Sequence, residues 1–79
     1  MDVQELKESF KPHLPKGFID KIRKRLLVKG INRSRSYIGY VCDPKRLDYD
    51  DEIITEALDL AAEQKRLREN IGKKAQSLK

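Results

Sequence analysis

Ser34, Arg35, Ser36, Tyr37 and Tyr40 stand together in the run SRSYIGYVCD, Ser34–Asp43. Hydroxyls, a guanidinium and phenols at this spacing can hydrogen-bond to phosphates and to base edges in a groove. Lys16, Lys21, Lys24, Arg33, Lys45 and Arg46 flank the run with further cations. The expectation is that Arg35, Ser36 and Tyr40 read bases. Lys16, Arg33, Ser34, Tyr37, Lys45 and Arg46 are expected to hold the nucleic-acid backbone. Tyr37 has a second reading, as cover for the edge of the core.

Other chemistries lack their residues. Cys42 is the only cysteine and His13 the only histidine. An internal disulfide is ruled out, and so is a structural zinc site on ligand count. Cys42 is expected in the core and His13 in a loop. The acids from Asp48 to Asp59 do not follow a calcium-loop spacing, and acids are expected at a helix start on electrostatic grounds alone. No nucleophile, base and orienting group can be named together, so the chain is not expected to be an enzyme. No metal, cofactor or small-molecule ligand is expected.

The charge pattern favours an anionic partner. The 79-residue chain has a formal net charge of +5 and 39% charged residues. From Lys16 to Arg46 there are 10 basic and 2 acidic residues; from Leu47 to Gln64 there are 7 acidic and no basic ones. From Lys65 onward there are 6 basic residues and 1 acidic. Solubility alone does not require such segregation; a binding face with an acidic back would produce it. Apolar runs are too short for a signal peptide or a membrane span, so a cytoplasmic location without a membrane partner is expected.

The elements that must position these residues are helical. Residues 3–10 carry Val3, Leu6 and Phe10 at helical spacing, and Pro12 and Pro15 then break the pattern. Residues 18–28 form a second helix with Phe18, Ile19, Ile22, Leu26 and Leu27 as its apolar stripe. Residues 30–33 form a turn in which Ile31 tucks inward. Ser34 caps a third helix that buries Ile38, Val41 and Cys42 and turns Arg35, Ser36, Gly39 and Tyr40 outward. Pro44 ends it. A long helix then runs from about Asp50 to Asn70, with Ile54, Ala57, Leu58, Ala61 and Ala62 inward. The expected organisation is a short helix and connector over 1–15, a helical domain over 16–70, and a flexible basic tail over 71–79. The fold class is all-α, with three to four short helices.

The run Ser34–Asp43 resembles the recognition-helix signature of lac-repressor-type and phage-repressor-like helix-turn-helix domains, roughly Ser-Arg-x-Thr-Val-x-x-Val-Leu-Asn. Ser34 and Arg35 match its first two positions. Ile38 and Val41 match the apolar positions, Cys42 the leucine and Asp43 the asparagine. Tyr37 stands where threonine is usual. The segment Leu14–Gly17 is loosely similar to a Leu-Pro-Lys-Gly segment in short bacterial and phage-associated proteins. The turn holds Ile31, Asn32 and Arg33, two residues more than the family's. The resemblance implies that helix 34–43 lies in the major groove and that the domain is a sequence-specific transcriptional regulator of double-stranded DNA.

A single half-site buries little surface, so a homodimer is expected, formed through the C-terminal stripe Leu67, Ile71, Ala75 and Leu78. The alternative is a small helical protein-protein interaction module with no nucleic-acid role, using the acidic stretch and the long last helix.

Overall fold

A computed structural model describes residues 2–78. The fold is all-α. Helix α1 (Val3–Phe10) runs into a 3-10 turn (Lys11–His13). Helices α2 (Phe18–Val28), α3 (Arg35–Cys42) and α4 (Asp51–Ser77) follow. Helix α4 has 27 residues, about 40 Å at 1.5 Å per residue, and lies against the other three. It accounts for most of the molecule's 46 Å length.

Each boundary has a local cause. The Asp2 carboxylate accepts from the Glu5 N–H at 2.7 Å and caps α1. Gly30, at φ +80°, ends α2. There the Ile31 N–H donates to the Leu26 carbonyl at 2.9 Å and the Gly30 N–H to the Leu27 carbonyl at 3.0 Å. This paired closure needs a left-handed residue, which glycine adopts without strain. Ile31 then packs on the core, as expected. The Ser34 hydroxyl accepts from the Tyr37 N–H at 3.1 Å and starts α3. Asp50 caps α4 by accepting from Glu52 and Ile53.

The core is Phe10, Ile22, Leu26, Ile38, Val41, Cys42, Ile53, Ile54, Ala57, Leu60 and Ala61. Several expectations are corrected by it. Leu27, Leu58 and Ala62 are exposed, whereas Ile53 and Leu60 are buried. The face of α4 turned inward is set by helices packing from one side, and it lies rotated from the stripe that the residue types alone imply. Gly39 is half-buried, not outward. A Cβ there would meet only Ile19 Cδ1, at 3.4 Å, an ordinary van der Waals contact where α2 approaches α3. Helix α4 passes Gly72 and continues to Ser77 instead of ending near Asn70.

Among the described residues, two charged side chains, Lys7 and Glu56, are buried. Lys7 is fully covered, and its ammonium donates to the carbonyls of Asp43 (3.3 Å), Arg46 (2.8 Å) and Asp48 (2.6 Å). Burial pushes its pKa below the ordinary lysine value, against the pull of Asp48. Glu56, on the buried face of α4, pairs with Lys29 and lies 4.0 Å from Arg25. Arg25 also bonds Glu63 at 2.7 Å. These pairs tie the basic α2 to the acidic half of α4.

Candidate interaction surfaces

Helix α3 presents Arg35, Ser36 and Tyr40 to solvent. Ser36 and Tyr40 are four residues apart and share one face. The arginines around them are engaged within the chain. Arg35 Nε lies 3.1 Å from the Asp20 carboxylate, with both partners mostly exposed. Arg33 Nε donates to Asp50 Oδ2 at 2.9 Å. Arg46 Nε donates to Asp48 Oδ2 at 2.8 Å, and its guanidinium lies over the Tyr40 ring, 4.0 Å from the centroid. Tyr37 is half-buried against the core, and its hydroxyl donates to the Tyr49 carbonyl at 3.4 Å. Ser34 is occupied as the helix cap.

Among the nine residues expected to contact nucleic acid, Lys16, Ser36 and Lys45 keep exposed side chains with no ion pair, side-chain hydrogen bond or cation–π contact among the described residues; Tyr40 is exposed with only Arg46 over its ring. The ten basic residues of Lys16–Arg46 divide evenly. Arg25, Lys29, Arg33, Arg35 and Arg46 pair with carboxylates, and Lys16, Lys21, Arg23, Lys24 and Lys45 have no carboxylate partner among the described residues. Asp20, Asp48, Asp50, Glu56 and Glu63 therefore take up much of the positive charge that the linear pattern places on one surface.

A second surface lies on α4. Ile53, Ala57, Leu60, Gln64, Leu67, Ile71, Lys74 and Leu78 alternate at spacings of four and three residues, which keeps them on one seam. Ile53, Ala57 and Leu60 are buried under the other helices, and Gln64 is half-buried. Beyond it the seam emerges: Leu67 is 51% exposed, Ile71 56% and Leu78 88%. The uncovered stretch from Gln64 to Leu78 is about 20 Å long. Its flanking and polar faces carry Lys65, Arg66, Arg68 and Lys73, Lys74 stands in the seam, and Glu69 is the single acid. Near its root, the Arg25 guanidinium holds the Glu63 carboxyl below the usual carboxylate range, and Arg66 and Lys21 add to that effect.

Sequence reasoning picked out Leu67, Ile71 and Leu78 but not their continuity with the core through Gln64 and Leu60. The alternating spacing was the signal that could have found it. Among the described residues, no group of three or more His, Cys, Asp or Glu side chains is placed to hold a metal ion, and no helix is long and apolar enough to cross a membrane. Comparison with protein-family models, curated proteins and solved structures finds no match to this chain.

Proposed function

We propose that this chain is a small helical protein-interaction module that offers the C-terminal half of α4 to a helix of another chain. The carrying observation is the seam that leaves the core at Gln64 and continues, uncovered, through Leu67, Ile71 and Leu78. An amphipathic helix buries such a stripe against a facing helix when one is available. The internal pairing of Arg33 and Arg46 supports the same reading, because a neutralised guanidinium must break its contact before it can serve a phosphate.

The test is amide hydrogen exchange over residues 65–78 with a helical peptide bearing a leucine seam. Slowed exchange there, abolished by Ile71→Asp, supports the module. Unchanged exchange with every such peptide overturns it.

A second reading is sequence-specific binding of duplex DNA by α2 and α3 as a repressor-like helix-turn-helix, in a transcriptional regulator. The exposure of Arg35, Ser36 and Tyr40 along α3 favours it. An exposed pair such as Arg35–Asp20 contributes little stability, so the guanidinium exchanges readily to another anion. Its test is binding of labelled random-sequence duplex across salt concentrations, with Arg35→Ala alongside. Binding that falls steeply with salt and drops in the variant makes it the function; no binding at low salt ends it. A homodimer paired through Leu67, Ile71 and Leu78 belongs to this reading.

A further inference from the structure

We infer that the exposed seam of α4 takes an acidic amphipathic helix of a different protein, with Leu67, Ile71 and Leu78 on its apolar stripe and Arg68 and Lys74 facing its carboxylates. This rests on the reading of the domain as an interaction module and names the partner's chemistry.

Charge complementarity carries the argument. Residues 65–78 hold five cations and one acid, and Lys74 stands in the seam itself, between Ile71 and Leu78. A lysine at a seam position needs a carboxylate across from it, or it leaves a desolvated charge unpaired. Arg68 directly follows the seam residue Leu67, where flanking charges select a partner helix. Lys65, Arg66 and Lys73 on the outer faces extend the positive field, and Lys21 of α2 lies close enough to Glu63 to act on its carboxyl.

The rival occupants fit less well. Two copies in parallel collide, because α2 and α3 already cover the seam up to Leu60. Antiparallel copies centred on Ile71 set Lys74 of each beside Arg68 of the other, cation against cation. Duplex DNA supplies charge but no apolar surface for Leu67, Ile71 and Leu78. A lipid surface meets a stripe only about one large residue wide per turn, interrupted by Lys74, where membrane-lying helices carry a broad apolar face.

The experiment uses the full chain and three synthetic helical peptides with leucine seams, whose flanking positions are all Glu, all Gln or all Lys. Binding is read by fluorescence anisotropy, and its location by amide exchange over residues 65–78. The Glu peptide is expected to bind at least about tenfold tighter than the Gln peptide and to slow exchange in this segment. Ile71→Asp is expected to abolish binding to both. The double variant Arg68→Glu, Lys74→Glu is expected to invert the order, so that the Lys peptide binds best. These side chains lie outside the core, and an unchanged thermal melt confirms that each variant folds.

Equal binding of the Glu and Gln peptides overturns the acidic partner while leaving the interaction module intact. Self-association in sedimentation equilibrium that Ile71→Asp abolishes assigns the seam to a second copy. Protection of 65–78 by anionic phospholipid vesicles, with none by the peptides, assigns it to a membrane surface. No protection by any peptide overturns the module and the inference together.

Discussion

The Lys7 ammonium of α1 donates to the Asp48 carbonyl oxygen at 2.6 Å, across 41 residues of chain. With the carbonyls of Asp43 and Arg46 as its other acceptors, it gathers the segment between α3 and α4 around one buried charge. The N-terminal helix is thereby the anchor of a loop with no regular structure of its own, and that loop carries Arg46 over the face of Tyr40.

Removing this charge is expected to be costly. Lys7→Met keeps most of the stem and deletes all three hydrogen bonds, leaving part-buried carbonyls without this donor. Hydrogen bonds from a charged group contribute about 1.5–3 kcal/mol each but are not additive, and a loss of about 3 kcal/mol is expected for the set. For a domain of this size that lowers the melting temperature by roughly 15 °C. A thermal melt within about 2 °C of the parent would mean that the ammonium contributes no net stability.

Cys42 should behave as a masked thiol. Burial pushes its pKa up to about 11. The thiolate is the reactive form, so native protein at pH 8 is expected to react with a thiol reagent far more slowly than the same chain in urea. The unfolded thiol ionises near pH ~8.5, below the folded value. The folded state therefore binds the proton more tightly, and stability from this group falls as pH rises from that value towards about 11. Cys42→Ala should remove that alkaline component, read from urea midpoints at pH 8 and 10.

Asp50 joins two elements, capping α4 and accepting from Arg33. Burial pushes its carboxyl up, but Arg33 and the N–H groups of Ile53 and Glu52 outweigh burial and hold the pKa below the usual aspartate value. A depressed carboxyl contributes stability that is present above the unfolded pKa near ~3.9 and is lost as pH falls through the folded one. Asp50→Asn keeps a capping oxygen and removes the charge. Its deficit relative to the parent should be largest at pH 6 and shrink towards pH 3, measured by urea unfolding. A deficit that does not change with pH would remove the carboxylate charge from the explanation.

Two glycines should respond in opposite directions to alanine. Gly30 sits at φ +80°, and Gly30→Ala is expected to destabilise by about 1 kcal/mol, because an L side chain is strained there. Gly39 is helical, and a Cβ there meets only Ile19 Cδ1 at 3.4 Å. Gly39→Ala is expected to stabilise by up to about 1 kcal/mol through helix propensity. Both values come from the same urea titration. A loss at Gly39 would mean that Ile19 cannot give way and that the α2–α3 contact is tighter than its geometry implies.

The helices and their starts follow from local chemistry. Asp2, Ser34 and Asp50 cap because a side-chain oxygen beside a free N–H is a local event, and Gly30 and Pro44 stop helices for equally local reasons. The residue pattern also sends Ile22, Leu26, Ile38, Val41 and Cys42 inward, since their spacing leaves one face for them. Tertiary structure decided the rest. Which face of α4 is buried depends on where α2, α3 and the N-terminal segment press on it, so Ile53 and Leu60 displaced Leu58 and Ala62. Lys7 became buried because three carbonyls from residues 43–48 converge on it, a convergence that no spacing within α1 encodes. The arginines of the expected contact surface found Asp20, Asp48 and Asp50. Two of those pairs join parts of the chain 15 and 17 residues apart, so a linear charge map counts as free a cation that the fold has already partnered.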